Sequence, residues 1–82
     1  MNTTIELSFY PLQEHYRKII KDFIRKLKEY KGLKITVGVT STVMIGEHAQ
    51  VMNCMKEMME WSYTNQGKSV FVAKIILDYD PS

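Results

Sequence analysis

From Thr4 to Tyr10 the chain alternates, with Ile5, Leu7 and Phe9 set against Glu6, Ser8 and Tyr10. A period of two places each set on its own side of an extended backbone, so the segment predicts a strand with one apolar face. Pro11 stops it, because proline has no N–H for a sheet ladder. Between about Gln13 and Tyr30 the period lengthens. Tyr16, Ile19, Ile20, Phe23, Ile24, Leu27 and Tyr30 recur at spacings of three and four, opposite a mixed, mainly basic face from Arg17 to Glu29. This predicts an amphipathic helix with its charged side in water, closed by Gly32. Two strands follow, Leu33 to Val39 and Thr42 to Glu47, joined by Thr40-Ser41 as a tight hairpin. In the first of them Leu33, Ile35, Val37 and Val39 share a face that belongs under the helices. A second helix runs from His48 or Ala49 to Tyr63, with Gly67 after it. Its apolar residues, among them Val51, Met52, Cys54, Met55, Met58, Met59, Trp61 and Tyr63, cover more than the ~100° needed to pack on one sheet. The last strand, Ser69 to Leu77, is apolar on both sides and reads as buried on both.

The order β-α-β-β-α-β is the split βαβ pattern, an α+β, ferredoxin-like sandwich with a four-stranded antiparallel sheet and both helices on one face. One domain spans residues 1–82. The uncovered sheet face then carries Glu6, Ser8 and Tyr10, next Lys34, Thr36 and Gly38, next Thr42 and Met44, and finally Val70, Val72, Lys74 and Ile76. It mixes hydroxyls with an apolar patch too large for water alone, so a partner subunit or ligand is expected there.

Length sharpens that expectation. At 82 residues there is room for one core, and cores of this size seldom supply more than about 3–5 kcal/mol without disulfides, metals or subunit contacts. Cys54 is the only cysteine, and no zinc-type spacing occurs. Oligomerisation is the remaining support. The net charge of +2, with basic residues spread along the chain, gives no reason to expect a nucleic-acid or membrane partner. No signal-peptide pattern and no run near ~18 apolar residues is present, so a cytoplasmic location is the expectation. The strand Thr42-Val43-Met44-Ile45 lacks the basic residue and paired aromatics with which RNA-recognition motifs of the same topology stack bases.

Catalytic chemistry finds little support. His15 and His48 have no Asp or Ser at a spacing that specifies a triad and read as surface histidines. Glu57 and Glu60 lie on the polar side of the second helix beside Asn53 and Lys56, where solvation explains them. Gly46 and Gly67 belong to no phosphate-loop string, and Cys54 reads as a small core hydrophobe. No enzyme activity, cofactor or metal is expected.

The opening Ile5-Glu6-Leu7-Ser8-Phe9-Tyr10-Pro11-Leu12 resembles the start of the YkoF-like thiamine/hydroxymethylpyrimidine-binding proteins. So does the hairpin Val37 to Glu47, followed directly by a helix opening His48-Ala49-Gln50-Val51-Met52. The likeness covers essentially the whole chain in order and spacing. The chain departs from some relatives by ending at Ser82, and by Val39 and Ile45 where those carry proline or an acidic residue. The resemblance implies a non-catalytic protein binding thiamine or its pyrimidine, assembled into homodimers or homotetramers through sheet and second-helix contacts. An aminopyrimidine needs an apolar slot, an aromatic wall and a carboxylate that accepts from the exocyclic amine and a protonated ring nitrogen together. Glu47 is the first candidate and Glu6 the second, although Glu47 also suits the positive N-terminus of the second helix. Ser8, Thr40 and Thr42 offer neutral hydrogen bonds, or, for Thr42 and Ser41, turn contacts. Tyr10 and Trp61 offer stacking walls, or ordinary core and interface packing. A structural or regulatory oligomer that kept the scaffold without the pocket is the alternative.

Overall fold

The computed structural model describes residues 1–81. β1 spans Asn2–Pro11, α1 Tyr16–Leu27, β2 Lys34–Val37, β3 Thr42–Glu47, α2 His48–Gln66 and β4 Ser69–Leu77. The strands form one antiparallel sheet in the order β2-β3-β1-β4, so the architecture is the ferredoxin-like α+β sandwich. Among the described residues no helix is long and apolar enough to cross a membrane.

β1 lies at the centre. Its odd residues, Ile5 and Leu7, point to the helices and are almost fully buried with Phe23, Leu27, Met44, Val51, Cys54 and Met58. β1 also extends one residue further than its apolar pattern, through Pro11 opposite Ser69. The ladder explains why proline is tolerated. The bond from the His48 N–H to the Met1 carbonyl shows that odd β1 residues turn their amides toward β3, and β3 begins only opposite Leu7. Pro11 therefore lacks an N–H where no acceptor waits.

The register corrects the face of β3. Ile5 stands opposite Met44 and Leu7 opposite Thr42, so Thr42 and Met44 lie under the helices and are buried. Val43 and Ile45 take their places on the open face, because antiparallel neighbours share a face. The hairpin is longer than a two-residue turn. The ladder ends at the Val37–Thr42 pair, and Gly38 to Ser41 form the connection, with the Gly38 N–H donating to the Ser41 carbonyl at 2.8 Å. Val39, read as helix-facing, lies in that loop and is fully exposed.

β4 departs furthest from its pattern. Val70, Val72, Ile75, Ile76 and Leu77 are all substantially exposed, on both faces. The helices pack chiefly on β1 and β3, and among the described residues little covers the outer strand beyond Phe71, which packs against the core. α2 likewise buries Val51, Cys54, Met55 and Met58 but leaves Met52, Met59 and Tyr63 exposed. Its C-terminal end is tied by amides: Ser62 donates to Gln66 Oε1 at 2.9 Å, and Gln66 Nε2 donates to the Ile19 carbonyl at 2.9 Å.

Candidate functional site

A cavity of about 90 Å³ opens between α1, β1 and the β2–β3 loop. Its apolar walls are Leu7 and Phe9 from β1 and Ile20, Phe23 and Ile24 from α1; its rim is the backbone and side chains of Gly38 to Thr42. The position follows from local sequence. The alternation of β1 sends Leu7 and Phe9 to the helix side, and the three-and-four spacing of α1 points Ile20, Phe23 and Ile24 back at them. Phe9 stacks on Phe23 with ring centroids 4.3 Å apart, and Phe71 extends the cluster at 5.0 Å from Phe9.

None of these lining residues carries a charge. The cavity sets the Phe9–Phe23 stack on one side and the polar groups of Thr40, Ser41 and Thr42 on the other, an apolar wall beside a hydroxyl rim.

The sequence-predicted residues divide among separate places. Thr40 and Thr42 line the cavity. Glu6 and Ser8 lie on the opposite face of β1, where they brace the same loop. Ser8 Oγ donates to the Thr40 carbonyl at 3.3 Å, and Ser41 Oγ donates to Glu6 Oε2 at 3.4 Å, while Lys74 Nζ stands 3.5 Å from Glu6 Oε1. Tyr10 is on that open face too, half exposed opposite Val70.

Glu47 is elsewhere. It caps α2, its Oε2 accepting from the backbone N–H groups of Ala49 at 2.9 Å and Gln50 at 3.3 Å. Five residue steps along β3 separate it from Thr42, about 17 Å at about 3.4 Å each. Trp61 sits in an outer cleft between α1 and α2, beside Lys18, Asp22, Arg25 and Lys26. Acids answer each cation there: Lys18–Asp22 at 2.6 Å, Arg25–Asp22 at 3.2 Å and Lys26–Glu29 at 3.2 Å. The hydrogen bond from Lys18 holds the Asp22 carboxyl below its ordinary range.

Residues missed by sequence reasoning are the aromatic and aliphatic walls, Phe9, Ile20, Phe23 and Ile24. Their periodicity marks them as core, and no sequence signal separates a core residue from one lining a gap in the core. His48 is also more than a surface histidine, since its Nδ1 stands 2.8 Å from Thr3 Oγ1 and ties the α2 N-terminus to β1.

No family model matches the chain, and no curated protein matches it. Solved structures do. A Thermotoga maritima protein provisionally named for thiamine biosynthesis or salvage superposes with a TM-score of 0.83 at 24% identity, over 98% of this chain and 85% of that one. A Streptococcus pneumoniae protein gives 0.87 at 23%, over 96% and 89%. A Bacillus cereus domain of unknown function gives 0.76 at 19%, over 100% and 79%. These likenesses establish the fold. At such identities they carry no ligand across to this chain.

Proposed function

We propose that the protein binds a small flat heterocycle, thiamine or its hydroxymethylpyrimidine moiety, in the cavity between α1 and the β2–β3 loop, acts as a homo-oligomer and catalyses nothing. The observation that carries this reading is the pairing of an aromatic wall, Phe9 and Phe23, with a hydroxyl rim, Thr40 to Thr42, in one concave place. The Thermotoga maritima neighbour's name points to the same ligand class. Oligomerisation is supported by the uncovered apolar residues of β4 and α2.

The cavity's size sets a condition. About 90 Å³ is less than the ~150 Å³ of an engineered core cavity that takes up benzene, so a pyrimidine must displace part of the rim. Val39 is the part able to yield, being fully exposed and outside the ladder. Titration calorimetry and thermal shift with thiamine, its phosphates and hydroxymethylpyrimidine test the proposal. Saturation at 100 times Kd should stabilise the fold by about 2.7 kcal/mol, and no response at millimolar ligand would end it.

The same small volume, together with a lining free of carboxylates, favours a second reading: a structural oligomer that kept the scaffold and not the site. Val39→Ala separates the two. It should tighten binding if the rim is what limits entry, and change nothing if no ligand enters.

A further inference from the structure

The loop that rims the cavity has two sides. Toward the helices, Gly38 to Ser41 line the cavity together with Thr42. On the other side the loop is held by Glu6 and Ser8, which lie outside that lining, on the open face of the sheet.

The ladder stops where the loop begins. β3 pairs with β1 as far as Thr42 opposite Leu7, and with β2 as far as Thr42 opposite Val37. Gly38 to Ser41 therefore lie beside β1 without a share in the sheet. The loop is closed on itself, since the Gly38 N–H donates to the Ser41 carbonyl at 2.8 Å and a Cβ at Gly38 would stand 3.0 Å from that oxygen. Side chains join it to β1. Ser8 Oγ donates to the Thr40 carbonyl at 3.3 Å, and Ser41 Oγ donates to Glu6 Oε2 at 3.4 Å, both near the long end of the hydrogen-bond range. The other oxygen of Glu6 faces Lys74 Nζ at 3.5 Å, directly across the β1–β4 pair. Lys74 thus steadies the carboxylate that Ser41 uses.

We propose that Glu6 and Ser8 are positioning residues for the cavity: from the far face of the sheet they hold Gly38 to Ser41 over its mouth, and release of their two bonds is the opening step that admits a ring. This deepens the binding reading above and rests on it for the identity of the ligand, not for the opening. The volume requires such a step, because about 90 Å³ is less than the ~150 Å³ of a cavity that takes up benzene. Phe9 and Phe23 are fixed in the stacked core, whereas Val39 and Thr40 are exposed, so the loop is the wall that moves. One ordinary hydrogen bond shifts such an equilibrium about fivefold, and apparent affinity rises in proportion to the open fraction. Removing a tie should therefore tighten binding. A merely structural role has the opposite sign, since a loosened site binds less.

Benzene separates the opening from the ligand. Ser8→Ala, Glu6→Ala and the double variant are titrated with benzene and, separately, with hydroxymethylpyrimidine, following the NMR signals of Ile20, Phe23 and Ile24. Benzene affinity should rise about fivefold in each single variant and about 25-fold in the double one. Glu6→Gln keeps an acceptor for Ser41 and should stay near wild type. Circular dichroism checks that each variant is folded, and Ser8→Ala carries the test alone if Glu6→Ala is not. Benzene affinity that is unchanged, lowered or undetectable in the folded variants would overturn the proposal. Benzene gains without hydroxymethylpyrimidine binding to any variant would uphold the opening step and overturn the ligand reading alone.

Discussion

Glu47 separates two accounts of the chain, because a carboxylate at the head of a helix serves equally as a partner for an aminopyrimidine and as a cap. The perturbation is Glu47→Ala. In the structure one oxygen, Oε2, accepts from the first free amides of α2, those of Ala49 and Gln50, and the carboxylate faces the positive end of a 19-residue helix. Loss of an N-cap acceptor costs about 1 kcal/mol, and loss of the favourable charge adds up to about 0.5 kcal/mol at an exposed position. At about 4–8 °C per kcal/mol for a domain of this size, the midpoint of thermal unfolding should fall by roughly 5–10 °C. Glu47→Gln keeps an acceptor oxygen and loses only the charge, so it should lose less. Urea titrations and calorimetric binding are run side by side. Ligand affinity should stay within about twofold once the protein is folded, since Glu47 is about 17 Å of strand away from the cavity rim. A tenfold loss of affinity with an unchanged unfolding midpoint would refute the cap assignment and restore Glu47 to the site.

Phe23→Ala removes a 2% exposed ring from the wall shared by core and cavity; it should cost about 3–5 kcal/mol by urea unfolding and abolish ring binding, and retention of affinity in the folded fraction would contradict the site. Burial, with the Glu57 charge second, pushes the Cys54 thiol up to about 11. The folded state thus holds this proton more tightly than the unfolded chain, and stability should decline as pH climbs from about 9 toward 11, with native Cys54 slow to react with alkylating reagents; rapid labelling at pH 8 would show that the thiol is open. The Tyr30 phenol, raised by burial and by its hydrogen bond to Glu57 at 2.7 Å, acts in the same direction at the alkaline end. Gly67→Ala forces a side chain into positive φ (+92°) and against Gln13, whose Nε2 donates to the Gln66 carbonyl at 2.6 Å. A loss of about 1–3 kcal/mol is expected, and an unchanged urea midpoint would refute a strained, closely packed junction at Gly67.

Element types and order were legible because alternation in β1 and the three-and-four spacing of α1 come from burial on one side, which is a local property of the chain. Boundaries were less so. α1 begins at Tyr16 and not Gln13, since the Gln13 amide is occupied with the carbonyls of Gln66 and Lys68, a contact between distant parts of the sequence. The phase of β3 was misread because Val43, Met44 and Ile45 are apolar in succession and only pairing with β1 decides which of them faces inward. Of the residues expected at a site, Thr40 and Thr42 line the cavity; Glu47 and Trp61 lie apart from it, because they were chosen by residue chemistry, which carries no information on distance.

The central position of β1 also governs how the chain must be assembled in time. It is made first, yet one of its two neighbours is β4, with partners separated by 58 residues (Pro11 and Ser69) to 74 residues (Thr3 and Leu77). Such pairings of high sequence separation close late and slow folding. Until β4 emerges from the ribosome, β1 is itself a bare edge, with the even-numbered half of its amides unanswered and Ile5 and Leu7 only partly enclosed. Any pause in synthesis between α2 and β4 therefore holds the nascent chain in its most aggregation-prone form, and a chaperone acting on this protein has that interval in which to act.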